Sequence, residues 1–295
     1  MTRKRFEVAR RLLDNRDWDF FMMVEIGVDR IHHGLWSDMD SSHRKHNPNS
    51  PYKDAIRQYY HLIDREIGTL MQRFDENTVV LVVSDHGARK MDGGICINEW
   101  LVREGYLVLE EPPDTTKGAV RFEDLKVDWS KTRAWGDGGY YGRLFINLKG
   151  REPQGVVEAA DFERLRAELM SRLEGLGDEN GQSIGTRCFT PEAVYHKIKG
   201  VVPDVLVYFG DLAWRSIGTV GWNAIHVFEN DTGPDDANHA QHGVFIYHDP
   251  KRDLGGRKLD GLHLMQIAPT VLRLFGLPVP DDMQRPAIEA VIGGQ

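Results

Sequence analysis

The chain has little of what would staple a fold or anchor it elsewhere. Of its 295 residues only two are cysteines, Cys96 and Cys188, far apart and in no Cys-x-x-Cys pair. That spacing excludes a disulfide framework and sets a reducing compartment, the cytoplasm, as the expectation. No apolar run approaches the ~18 residues that a membrane span needs. The opening Met1-Thr-Arg-Lys-Arg-Phe is basic, but no apolar stretch follows it, so it does not read as a signal peptide. There is no excess of positive charge either. Lys and Arg number 37 against 45 Asp and Glu, for a formal net charge of −8, which argues against nucleic-acid binding and its basic footprint. A phosphate-bearing small molecule is still admitted, because bound divalent cations invert the local field. Internal repeats and low-complexity tracts are absent.

What is present is an ordinary globular composition, 41% hydrophobic and 28% charged. A compact chain of this size buries roughly 75% of its unfolded surface and needs no staples. Residues 3–14 read as an amphipathic helix, and Asp19–Ile26, closed by Gly27, as a strand buried on both faces. The spacing of Ile56, Tyr60, Ile63, Ile67, Leu70 and Phe74 predicts a helix over 51–74. Thr78–Ser84 is the best strand, being short, β-branched and uncharged. Further helices are expected near 97–104, 160–176 and 266–275, and further strands at 143–147, 204–209 and 243–248. Strands alternating with helices predict an α/β fold with a mainly parallel sheet flanked by helices. Three segments are expected: 1–105 as the first part of the core, 106–200 as a turn-rich inserted accessory region, and 201–295 as the second part of the core.

Twelve histidines stand out, several of them clustered. In open α/β sheets, ligands bind beyond the carboxyl ends of the strands. Asp29 and His33 follow one predicted strand, and Asp85 and His86 follow another directly. Carboxylate and imidazole donors are what divalent metals that handle phosphate oxygens require. Asp29-x-x-x-His33 spaces its two donors by one helical turn, so both can face one ion if the segment is helical. Asp85-His86 are adjacent and can reach a metal from a tight turn, where Gly87 relieves crowding. Asp29-x-x-x-His33 alone is weak, and the junction of a strand with Ser84-Asp-His-Gly87 is more specific; their convergence on one rim of the sheet makes the hypothesis a metal-dependent phosphoester site.

On these pieces the chain resembles the alkaline phosphatase superfamily, within it the type I phosphodiesterase/nucleotide pyrophosphatase branch of predicted phosphohydrolases and phosphomutases. The resemblance is carried by Asp29-Arg-Ile-His-His33-Gly-Leu-Trp36 and Val83-Ser-Asp-His-Gly87, with support from His239-Ala-Gln-His-Gly243, Pro203-Asp-Val-Leu-Val and Ile267-Ala-Pro-Thr-Val-Leu272. It implies two divalent cations, zinc first and manganese as the alternative. One would be held by Asp29, His33 and His239, with His242 as the alternative donor, and the other by Asp85 and His86. It also implies a Ser or Thr nucleophile from an N-terminal part of the sheet that has no counterpart after Met1. Ser84 closes a strand and reads as structural. Arg89 and Lys90 are weak candidates for a substrate phosphate. Three explanations stay open for the absent piece: a truncated longer enzyme, a separate polypeptide that supplies it, or direct attack by water activated on a metal. An interior strand missing from the sheet would leave an apolar seam, open to a partner or to self-association. A metal-binding pseudo-enzyme serving as an interaction module is the rival reading, and a phosphomutase relative the other.

Overall fold

A computed structural model of the chain describes residues 1–292. In chain order its elements are α1 (Thr2–Asn15), α2 (Gly27–Met39), α3 (Ala55–Met71), β1 (Val80–Val83), β2 (Gly87–Lys90), β3 (Gly93–Cys96), α4 (Ile97–Arg103), β4 (Ala134–Asp137) and β5 (Gly142–Ile146). There follow α5 (Phe162–Glu174), β6 (Arg187–Phe189), α6 (Pro191–Val194), β7 (Val205–Tyr208), β8 (Trp214–Ile217), β9 (His226–Val227), β10 (Ala237–Ala240), β11 (Phe245–His248), α7 (Ile267–Leu274) and α8 (Glu289–Ile292). The fold is mixed α/β, and the chain divides into two compact units. No described helix is long and apolar enough to cross a membrane.

The smaller unit comprises Met1–Glu25, His61–Gly87 and Ala240–Gln295. Phe6 and Ala9 of α1 and Leu70 of α3 are buried together, with Leu13, Ile63, Ile67 and Phe74 packed around them. This is the C-terminal part of the apolar face that the helical spacing predicted; Tyr60 is exposed, α3 spans only Ala55–Met71, and residues 51–54 form a turn ahead of it. The run expected to be a buried strand, Asp19–Ile26, is a correction. It is extended and alternates as a strand does: Phe21 and Met23 pack on the helices while Phe20, Met22 and Val24 are exposed. Among the described residues, however, no strand forms a ladder with it, and only one of its faces is covered. Glu25 ends it, accepting from Thr2 Oγ1 at 3.1 Å and Arg5 Nη1 at 2.8 Å. β1 pairs antiparallel with β11, Val80 opposite His248 and Val83 opposite Phe245.

The larger unit comprises Ile26–Tyr60 and Ala88–His239. β4, β5, β7 and β6 make a four-stranded sheet in that order, antiparallel throughout. β8, β3 and β9 make a second sheet, in which β3 runs parallel to β8 and antiparallel to β9. The ladders are thus mostly antiparallel, and the mainly parallel sheet expected from the sequence is not what they show. The physical reason is connection length. Four residues join β4 to β5, which permits a hairpin but no crossover to a parallel neighbour.

The core of this unit gathers α4, α5 and both sheets. Leu165, Leu169 and Leu173 recur every fourth residue of α5, and all three are buried with Ile97, Leu101, Leu144, Ile146, Val205 and Phe209. Full burial of each such side chain stabilises by about 1.5–3 kcal/mol. Gly105 stops α4 at φ +71, and Tyr106 N donates back to Leu101 O at 2.9 Å, the six-to-one closure of a glycine-capped helix. Buried polar groups are spent on the backbone. Asp204 accepts from Ile146 N at 2.6 Å and takes both guanidinium nitrogens of Arg151, at 2.6 and 2.7 Å. Asn147 Nδ2 donates to the carbonyls of Trp129, Thr132 and Gln154.

Candidate metal centre

Helix α2 carries Asp29 in its first turn and His33 one turn later, so the condition on which that pair depended is met. The segment 235–239 is fastened to this helix. Asp236 N donates to His33 O at 2.8 Å, Ser37 Oγ donates to Asp236 Oδ2 at 2.6 Å, and His43 Nε2 donates to Asp236 O at 3.1 Å. Three residues on, β10 brings His239 in. Sequence positions 29, 33 and 239 thus meet in the larger unit.

Their donor atoms form a tight triangle. His33 Nε2 lies 3.2 Å from His239 Nε2 and 3.3 Å from Asp29 Oδ1, and His239 Nε2 lies 3.5 Å from the same oxygen. Zinc–ligand bonds of about 2.0–2.1 Å arranged tetrahedrally put neighbouring donors about 3.3 Å apart. The donor spacing therefore suits a divalent cation. Asp29, His33 and His239 are also the one group of three or more His, Cys, Asp or Glu with ligand geometry among the described residues. Their side chains are 33%, 17% and 23% exposed, open enough for a fourth ligand to arrive from solvent.

Asp29 and His33 line a cleft of about 430 Å³ together with Arg30, Tyr140, Asn230 and Asp235. Tyr140 lays its ring against His239, with centroids 4.0 Å apart. Asp235 Oδ1 accepts from His33 Nδ1 at 2.8 Å. That bond, with the Asp235 and Asp29 charges adding and burial opposing, raises the His33 pKa above its ordinary value. Sequence reasoning passed over both Asp235 and Tyr140. The signal for Asp235 was faint: an acid four residues before His239, in a stretch that reads simply as polar.

Asp85 and His86 stand in the smaller unit, directly after β1. His86 Nδ1 donates to Gly87 O at 2.9 Å, which leaves Nε2 as the ligand nitrogen, 3.7 Å from Asp85 Oδ2. Asp85 is 78% exposed. A Cβ on Gly87 would meet His242 O at 2.1 Å, so glycine is required there by the neighbouring backbone. His242 belongs to this smaller unit, whereas His239 lies beside Asp29 and His33. Ser84 Oγ accepts from Val244 N at 2.7 Å, a structural use that matches its reading as a strand-closing residue. Arg89 is held by Asp211, through the carbonyl at 2.5 Å and the carboxylate at 3.4 Å, and Lys90 by Asp92 at 2.8 Å.

A carboxylate and two imidazoles at ligand spacing beside a polar cleft make a group that could hold a divalent cation. Residues 2–244 match the family described as type I phosphodiesterase / nucleotide pyrophosphatase, and the chain belongs to that family, as the motifs around Asp29 and Asp85 had implied. No curated protein matches it in sequence. Among solved structures it is similar to murine ectonucleotide pyrophosphatase / phosphodiesterase 5, at 15% identity and a TM-score of 0.41, over 82% of this chain and 52% of that one. The chain thus spans about half the length of that structure.

Proposed function

We propose that this chain carries the metal site of a phosphoester hydrolase of the phosphodiesterase or nucleotide pyrophosphatase type. One observation carries the reading: three donor atoms from α2 and β10 stand 3.2–3.5 Å apart, the edge lengths of a metal polyhedron. Asp29, His33 and His239 would hold one divalent cation, zinc or manganese, and Asp85 with His86 would hold a second. Such cations supply Lewis-acid polarisation of a phosphoryl oxygen and neutralise charge as the ester bond breaks. The chain's own part is to fix the donors. Asp235 orients His33, the Gly87 carbonyl orients His86, and the cleft beside Asp29 presents Arg30 and Tyr140 to a phosphoester small molecule.

Ser84 Oγ accepts from Val244 N in a strand-closing contact, and for this chain by itself the reading assigns the attack to water activated on the cation. The exposed, unladdered run Phe20–Val24 supports a place for added chain or for self-association. Two buried free thiols support a reducing compartment, which we take as the cytoplasm. The test is direct: titrate the metal-stripped chain with Zn²⁺ or Mn²⁺, then assay an activated phosphodiester at high enzyme concentration. Metal uptake with turnover that Asp29→Asn abolishes upholds the reading. Uptake without turnover favours an interaction module instead, and no uptake removes the site.

A further inference from the structure

We propose that Asp235 is the positioning residue of the cation site, acting through His33 and itself held by Arg215. The inference rests on reading Asp29, His33 and His239 as ligands. An imidazole offers one nitrogen lone pair, and the hydrogen bond at the other nitrogen decides which. The partner at His33 Nδ1 is a carboxylate oxygen 2.8 Å away, which accepts only, so the proton stands on Nδ1. Nε2 is left as the lone pair, and it is the nitrogen that faces Asp29 Oδ1 and His239 Nε2. The imidazole stands between Asp235 and those two donors, so Asp235 cannot be a fourth ligand to the same ion through that contact.

Asp235 is itself built in. Its side chain is 11% exposed. Oδ1 also accepts from Ala237 N at 3.3 Å, and Oδ2 accepts from Asn230 Nδ2 at 3.4 Å. On the Oδ2 side lies Arg215 Nη1 at 3.6 Å. Arg215 comes from β8 with its side chain 10% exposed, and its buried Nε has no hydrogen-bond partner. What holds that guanidinium is its surroundings: Asp235, Asp231 at 4.0 Å, and the Tyr140 ring with its centroid 5.1 Å from the guanidinium carbon. The contacts therefore run in sequence from the Arg215 cation to the Asp235 anion, from there to His33 Nδ1, and through the imidazole to the site. An outer carboxylate in this place fixes the ring and raises its basicity as a ligand, and losing one typically costs 10–100-fold in metal affinity.

Two readouts on the full chain test this. Long-range ¹H–¹⁵N spectra of the metal-free protein, taken where imidazole is neutral, report the His33 tautomer, and Zn²⁺ titration reports affinity. The wild type should show Nδ1–H. Asp235→Ala should show mixed tautomers and Zn²⁺ binding weaker by about 10–100-fold, and Asp235→Asn, which keeps an acceptor oxygen, should recover most of both. Asp235→Ser, polar but too short to reach Nδ1, carries the test if the alanine variant does not fold. An Nε2–H tautomer in the wild type, or Zn²⁺ affinity in Asp235→Ala within about twofold of it, overturns the proposal while leaving the metal reading intact. Failure of the wild type to take up Zn²⁺ overturns the metal reading, and the proposal with it.

Discussion

His33 Nε2 and His239 Nε2 lie 3.2 Å apart although 206 residues separate them in sequence. Asp29 Oδ1 completes the triangle, at 3.3 and 3.5 Å from the two nitrogens, a spacing that suits three ligands of one cation. A ligand that binds only the folded state stabilises it by about 2.7 kcal/mol when present at a hundred times its Kd. Zn²⁺ should therefore raise the melting temperature of the metal-free chain, by something on the order of 5–10 °C. His239→Ala leaves two donors and should lose that shift while melting near the wild type without metal. A zinc-induced shift that survives in the variant would place the ion elsewhere.

Protons compete for the same nitrogen. The His33 pKa is raised first by its hydrogen bond to Asp235 and then by the Asp235 and Asp29 charges, with burial opposing. The folded value lies above the unfolded one, so the ion pair stabilises fully below about pH 6.5 and its contribution is lost as pH rises through the raised folded value. Metal binding runs the other way, since His33 must give up its proton to serve as a ligand. The metal-free chain should lose stability on going from mildly acidic to mildly alkaline pH, while Zn²⁺ affinity rises across the same window. Parallel melting curves and Zn²⁺ titrations check both trends; affinity flat across this range would remove His33 from the ligand set.

Phe20, Met22 and Val24 are 58%, 74% and 69% exposed on one side of an extended run, while Phe21 and Met23 pack beneath it. Phe20 meets the ring of Phe275, itself 46% exposed, at a centroid distance of 6.5 Å. Exposed apolar alternation on an unladdered segment promotes association. The isolated chain should self-associate as its concentration rises through the micromolar range. Met22→Lys and Val24→Lys should suppress this with little effect on stability, within about 0.5 kcal/mol, as for most exposed substitutions. Light scattering after size exclusion decides it. A wild type that stays monomeric throughout would mean the apolar run is harmless as it stands.

Local signals were legible and pairing was not. α1, α4, α5 and α7 lie where helices were expected, β1 follows from its β-branched run, and β5, β7 and β11 fall within the other expected strands. Residues 93–96, Gly-Gly-Ile-Cys, form the buried strand β3 with no such signal, because its glycines let Trp214, Ile217 and Val227 pack directly on the backbone. Strand direction was misjudged since alternation of elements says nothing about how long each connection is. The run Asp19–Ile26 reads as a buried strand by composition, but burial depends on neighbours, and among the described residues no strand pairs with it and Phe20, Met22 and Val24 stay exposed. At the site, Asp29 and His33 were readable through helical spacing. Asp235 was not, because a carboxylate that orients an imidazole 202 residues away leaves no periodicity in its own neighbourhood.

Neither thiol should compete for the metal or react while the chain is folded. Cys96 and Cys188 are both buried in the larger unit and unpaired. Burial pushes the Cys188 thiol up to about 12, with the Glu174 charge adding, and raises Cys96 further through burial and the charges of Glu99 and Asp231. Thiolate is the reactive form, and a pKa near 12 leaves only about one Cys188 in ten thousand ionised at pH 8. Iodoacetamide should therefore label neither residue under native conditions and both once denaturant opens the larger unit. Because each cysteine reports on that unit, the labelling midpoint should move to higher denaturant when Zn²⁺ is present and should not move in His239→Ala. Rapid native labelling of Cys188 would show that β6, which carries it, opens without the rest of its sheet.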